Sequence, residues 1–177
     1  MAWSAWRRGW AITVILGILD GPRMLLAGDS AVGSSSTCAE PKVWRRGNVL
    51  VGAAGGCRAC NVVEALQFAT YTGGDPYHFV RDEFAQALAG AFRATGAPPA
   101  GLSVLVAVGG ALVEIDDEFG VTQPGRDYTA IGCGADVALG ALHALRRLKP
   151  KARAMQALEA AAAHHGKVKG PFTFVTA

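Results

Sequence analysis

The chain is short of several things, and each shortage excludes a class of function. Only 18% of its 177 residues are charged, and 17 basic against 14 acidic side chains leave a net +3. That surplus is small and does not cluster into a basic run, so a nucleic-acid partner is not expected. The apolar run after the first arginines falls far short of the roughly 20 residues of a membrane span, so no membrane association is expected. Glycine is plentiful, at 23 residues, but follows no G-X-Y period, which excludes collagen. With 51% hydrophobic residues the chain is not disordered, and its length is ample for a core.

Familiar signatures are also missing. Gly52-Ala-Ala-Gly55-Gly56 joins a strand to a helix, where phosphate loops sit, but no Gly-Lys-Ser/Thr ending follows. Gly132-Cys133-Gly134 opens another helix, yet Val137 stands at the third glycine of a dinucleotide fingerprint. The plain reading of both loops is close packing at a strand–helix corner. Cys57-Arg-Ala-Cys60 lacks a second ligand pair at zinc spacing, and the adjacent His164 and His165 point to different helix faces. Those two cysteines read as buried or half-buried structural thiols at a helix start. His78 and His143 stand alone in sequence, and there is no Gly-x-Ser-x-Gly elbow. Asp116-Asp117-Glu118 lacks metal-loop spacing and reads as a solvated turn. Four cysteines in a chain able to build its own core read as thiols in a reducing compartment. The expected location is the cytoplasm.

What is present is a clear order of elements. Thr13–Leu19 and Arg23–Ala27 are apolar runs around Asp20-Gly21-Pro22, the pattern of a β-hairpin. A second hairpin is expected from Lys42–Arg45 and Asn48–Ala54, after a polar turn at 33–37. Val62, Val63, Leu66 and Thr70 follow helical spacing, as do Val80, Phe84, Leu88 and Phe92. Strands are predicted at Leu102–Val108, Leu112–Ile115 and Tyr128–Ile131. Ala138, Leu142, Leu145 and Leu148 form one helical stripe. Pro150 suits the first turn of a last helix, with Met155, Leu158 and Ala162 inward. Phe172–Val175 reads as a closing strand. Blocks of strands alternate with helix pairs rather than as βαβ units, which implies an α+β fold with two sheets face to face and helices outside.

The first twelve residues differ from the rest. They hold three of the four tryptophans, Arg7 and Arg8, and no acid. The apolar stretch that follows breaks at Gly17 with no small-x-small cleavage site, which argues against a secretory signal.

One constellation remains. A strand begins at Thr13; the phrases LLAGDS, EPKVWRRGNVLVGAAGG and YTAIGCGADVALGAL follow in order. Together they resemble the proteasome β-subunit and HslV-type peptidases, members of the N-terminal-nucleophile hydrolases, in their short bacterial or phage versions. Sixteen residues separate Thr13 from Asp29, the separation such peptidases keep between nucleophile and aspartate. The resemblance implies a four-layer αββα sandwich over residues 13–177, preceded by a leader or propeptide at 1–12. It implies Thr13 as nucleophile, Lys42 as electrostatic tuner, Asp29 as its anchor, Gly52 N–H as oxyanion donor, and Cys133 where a serine usually supports the amine. An N-terminal threonine joins nucleophile and base in one residue, and a free α-amine titrates near ~8, close to what a general base needs. No cofactor is needed.

The same resemblance implies peptide or unfolded-protein substrates, a homo-oligomeric ring and an ATPase unfoldase as partner. It requires a free amine on Thr13, reached by cleavage of the Ile12–Thr13 bond or by a later translation start; self-cleaving members usually have glycine before the threonine, where this chain has Ile12. Removing the leader leaves fifteen basic against fourteen acidic residues, +1. After the last helix, Lys167 and Gly170 occupy the positions at which proteasome subunits place an aspartate and a serine. A catalytically degenerate ring subunit and a small-molecule amidase are therefore the rival readings.

Overall fold

In the computed structural model, residues 13–32 and 36–177 are described. The leader, the Ile12–Thr13 bond and the centre of the 33–37 turn lie outside the described residues.

Strands β1 (Val14–Asp20) and β2 (Arg23–Gly28) form the first expected hairpin. Gly21, at φ +59°, supplies the positive φ that a two-residue hairpin loop demands. A short pair, β3 (Ala31–Val32) and β4 (Ser36–Thr37), stands where only a turn was expected. The second hairpin is β5 (Val43–Arg46) with β6 (Val49–Ala54). Helix α1 (Cys57–Ala65) follows, then α2 (Pro76–Phe79), a π-helical turn at Val80–Phe84, and α3 (Ala85–Thr95). Strands β7 (Ser103–Val108), β8 (Ala111–Ile115), β9 (Val121–Thr122) and β10 (Tyr128–Gly132) come next. Helices α4 (Ala135–Ala144) and α5 (Pro150–His164) and strand β11 (Thr173–Thr176) complete the order.

The strands make one antiparallel sheet ordered β10-β1-β2-β11 and another ordered β5-β6-β7-β8-β9. Three packed clusters fix the layers. Ile15 and Leu26 meet Leu50, Leu105 and Leu112 between the sheets. Val80, Phe84, Leu88 and Phe92 cover the outer face of the five-stranded sheet. Leu142, Ala154, Ala157, Leu158 and Ala161 cover the outer face of the other. The result is the expected α+β, four-layer αββα sandwich. It explains why β1 reads as an unbroken apolar run: both of its faces are covered, so period-2 alternation of polarity has no reason to appear.

Three helical stripes depart from expectation, each for a local reason. Helix α1 ends at Ala65, with Leu66 as its cap, so Thr70 is not helical. The segment after it lies over the core instead: Phe68 packs on Phe84 at 4.7 Å and Tyr71 on Phe79 at 5.1 Å. Helix α4 stops at Ala144 and the chain turns, with Leu148 N–H bonding to Leu145 O, which leaves Leu148 exposed. On α5 the inner face is Arg153, Ala154, Ala157, Leu158 and Ala161, rotated by a residue from the Met155–Ala162 stripe, because small alanines let the helix approach the sheet. The thiol reading also needs correction at one position: Cys57 is exposed, while Cys60 is half-buried.

Candidate active site

Antiparallel pairing brings distant sequence positions to one end of the sandwich. Val14 pairs with Gly132, Ile15 with Gly28, and Val43 with Gly52. The start of β1 therefore lies beside the ends of β2 and β10, while the start of β5 lies beside the end of β6. Thr13, Asp29, Lys42 and Cys133 each sit one residue beyond a strand end at this edge, and the structure brings all four together.

Asp29 is the anchor of the cluster, with a fully enclosed side chain. Its Oδ1 accepts from Val14 N–H at 3.1 Å and from Lys42 Nζ at 3.0 Å. Its Oδ2 accepts from Ala31 N–H at 3.1 Å and Lys169 N–H at 3.4 Å. The bond to the residue two positions on is the local turn chemistry for which aspartate is suited. A carboxylate away from water needs this many donors, since a buried charge is tolerated only when paired and hydrogen-bonded.

Lys42 is 8% exposed and its ammonium has three donors to place. They reach Thr13 Oγ1 at 2.6 Å, Asp29 Oδ1 at 3.0 Å and Ala31 O at 2.6 Å. Because the ammonium donates to the threonine hydroxyl, it is arranged to stabilise negative charge developing on Oγ1, not to remove its proton.

Cys133 brackets the backbone of Thr13. Thr13 N–H donates to Cys133 Sγ at 3.4 Å, and the thiol donates to Thr13 O at 3.4 Å. Gly134 N–H also bonds to Thr13 O, at 3.3 Å. Gly132, at φ +92°, makes the corner possible: a Cβ there would strike Thr13 O.

The Gly52 role needs correction. Ala53 N–H bonds to Lys42 O at 3.0 Å, so Gly52 and Val43 are a non-hydrogen-bonded pair. The polar groups of Gly52 therefore turn toward Leu105 of β7, its ladder partner on the other side. Its N–H is spent in the sheet. What requires glycine is packing, since a Cβ would lie 2.6 Å from Ile15 Cγ2. By strand alternation the next N–H on the Lys42 side belongs to Gly55, just past the end of β6.

The segment after α5, which carries Lys167 and Gly170, contributes backbone to the site: Lys169 N–H donates to Asp29 Oδ2, and Ser30 N–H donates to Lys169 O at 2.9 Å. His165 is a neighbour that sequence reasoning missed. Its Nδ1 accepts from Lys167 N–H at 3.3 Å and lies 3.7 Å from Cys133 Sγ. No sequence signal pointed to it, because the contact exists only where the end of α5 meets the β10–α4 corner.

No protein-family model matches the chain, and no curated protein matches it. Solved structures do share its fold. Thiobacillus denitrificans BPH in complex with epoxomicin superimposes with a TM-score of 0.78 at 20% identity, covering 93% of this chain and 98% of that one. HslV from Trypanosoma brucei gives 0.72 at 24% identity, with 93% and 98% covered. Anbu, an ancestral β-subunit from Yersinia bercovieri, gives 0.68 at 14% identity, with 93% and 81% covered. The fold is that of the proteasome-type N-terminal-nucleophile hydrolases.

Proposed function

We propose that this chain is a threonine-type peptidase whose nucleophile is Thr13, freed by opening the Ile12–Thr13 bond. The observation that carries the reading is Lys42 Nζ, 2.6 Å from Thr13 Oγ1 and 3.0 Å from the buried Asp29 carboxylate. Oγ1 attacks the scissile carbonyl, and the freed α-amine takes its proton, directly or through water. The Lys42 ammonium stabilises the oxygen as its charge develops, and Asp29 keeps the ammonium in place. Gly55 N–H is the donor offered to the carbonyl oxygen in the tetrahedral intermediate. The amine then returns the proton to the leaving nitrogen, and water hydrolyses the ester on Thr13. None of these steps needs a cofactor. By resemblance, the substrates are peptides or unfolded proteins and the assembly is a homo-oligomeric ring, with an ATPase unfoldase as a candidate partner.

Intact mass and N-terminal sequencing of the purified protein test the reading. The expected chain begins at Thr13 and is labelled there by an electrophilic peptide probe. Epoxomicin is a natural first ligand to try, given its complex with the Thiobacillus denitrificans protein. A persistent Met1 start with no label on Thr13 would sink the proposal. Thr13→Ala is expected to fold normally and lose all turnover.

A second reading, a degenerate ring subunit, draws on Lys167 and Gly170, which stand where supporting aspartate and serine side chains are expected. It predicts assembly without turnover. A small-amide hydrolase would show itself on a substrate panel by cleaving small amides in preference to peptides.

A further inference from the structure

A second cluster lies at the other end of β10, four residues along the strand and about 13 Å from the Gly132 corner. It lines an open cavity of about 880 Å³. Three arginines, Arg126, Arg146 and Arg153, and His143 line it, with Asp127 as its one acidic member.

Arg153 is the unusual member. It sits on α5 facing the core and is 4% exposed. Its guanidinium is fixed from two sides: Nε donates to Leu142 O at 2.9 Å, and the plane lies 4.5 Å from the centre of the Tyr128 ring. Nη1 approaches Asp127 Oδ2 at 3.5 Å, beyond ordinary hydrogen-bond range. Nη2 is buried with no hydrogen-bond partner. A buried cation with an unused donor is costly unless something satisfies it. Asp127 does so poorly, because its own side chain is 62% exposed and it reaches only one nitrogen.

The surroundings are held ready. Tyr128 OH and His143 Nδ1 are 3.1 Å apart, Arg146 Nη1 caps His143 O at 3.4 Å, and Arg126 lies 6.0 Å from the Tyr128 ring centre. Fixed guanidinium forks suit carboxylate and phosphate oxygens alike. Here three guanidinium charges face a single carboxylate, an excess that a dianion matches and a monoanion does not.

We propose that this cavity binds a phosphate-class dianion, its oxygens taking the Nη edge of Arg153 between Arg126 and Arg146. The site shares no side chain with the Thr13 cluster, so the proposal stands apart from the peptidase reading.

The test is titration of the full-length protein with orthophosphate, a nucleoside monophosphate, acetate and chloride at matched ionic strength. The readouts are the melting temperature and the NMR signals of the His143 and Tyr128 rings. Orthophosphate is expected to raise the melting temperature and shift both rings saturably. Tighter binding of the nucleoside monophosphate identifies a phosphoryl group on an organic body; equal binding identifies free phosphate. Arg153 is built into the fold, so the exposed partners are varied instead. Arg126→Gln and Arg146→Gln should each weaken binding about tenfold, the loss of one charge-assisted bond. Chloride or acetate acting as strongly as phosphate would overturn the proposal, as would binding unchanged in both variants.

Discussion

Lys42 and Asp29 form a pair whose value depends on both being present. Their side chains are 10% and 0% exposed. Lys42→Met leaves the carboxylate enclosed with backbone donors alone, and should cost about 3–5 kcal/mol in chemical denaturation. Adding Asp29→Asn should recover part of that loss, and a double-mutant cycle measures the coupling. Additive effects would show that the two groups act separately. Cys133 makes only thiol-strength bonds to Thr13. Cys133→Ala is therefore expected to lower turnover by about fivefold, the worth of roughly 1 kcal/mol, with Cys133→Ser restoring it. Cys60 behaves differently from its neighbour Cys57. Burial pushes its thiol up from 9.0 to about 11, with the Lys42 charge opposing the rise. Alkylation near pH 8 should label exposed Cys57 and spare Cys60, whose rate climbs only as pH approaches 11. Because the folded value lies above the unfolded one, the associated stability is present below pH 9 and is lost as pH rises through about 11. Equal labelling of the two at pH 8 would contradict the burial of Cys60.

The elements were legible to different degrees. The hairpins were plain because Gly21 and the apolar runs around it leave one local solution. The Val80, Phe84, Leu88 and Phe92 stripe was also plain, since its period survives the π-helical turn and all four side chains are buried. Phe84→Ala should cost about 3–5 kcal/mol, read by denaturant unfolding. Helix ends were less legible. Nothing local ends α1 before Thr70; contacts of Phe68 and Tyr71 with later residues do. Gly52 shows a similar limit. Its position in the sequence suggested an oxyanion donor, but pairing on both sides of β6 commits its N–H to β7. Gly52→Ala should destabilise the protein by about 1–3 kcal/mol through contact with Ile15. A variant that folded with full stability and lost only turnover would restore the original role.

For the whole molecule, order and polarity of the elements determined the architecture. Strand blocks separated by helix pairs can bury every apolar face only as stacked layers, so the αββα sandwich followed from sequence. The order of Thr13, Asp29, Lys42 and Cys133 likewise pointed to one cluster, through resemblance and spacing, and the four residues lie together in the structure. Tertiary structure decided what spacing cannot express. It set which way each N–H of β6 points, because that depends on the register of two neighbouring strands. It brought His165 to Cys133 and left the segment around Lys169 to hold Asp29 by backbone, because the end of α5 must cross the β10 corner. It turned Arg153 inward beneath Tyr128, where a helical stripe of alanines gave no hint of a buried cation. Periodicity depends on neighbours along the chain and can be read from sequence. Hydrogen-bond direction and the pairing of buried charge depend on neighbours in space.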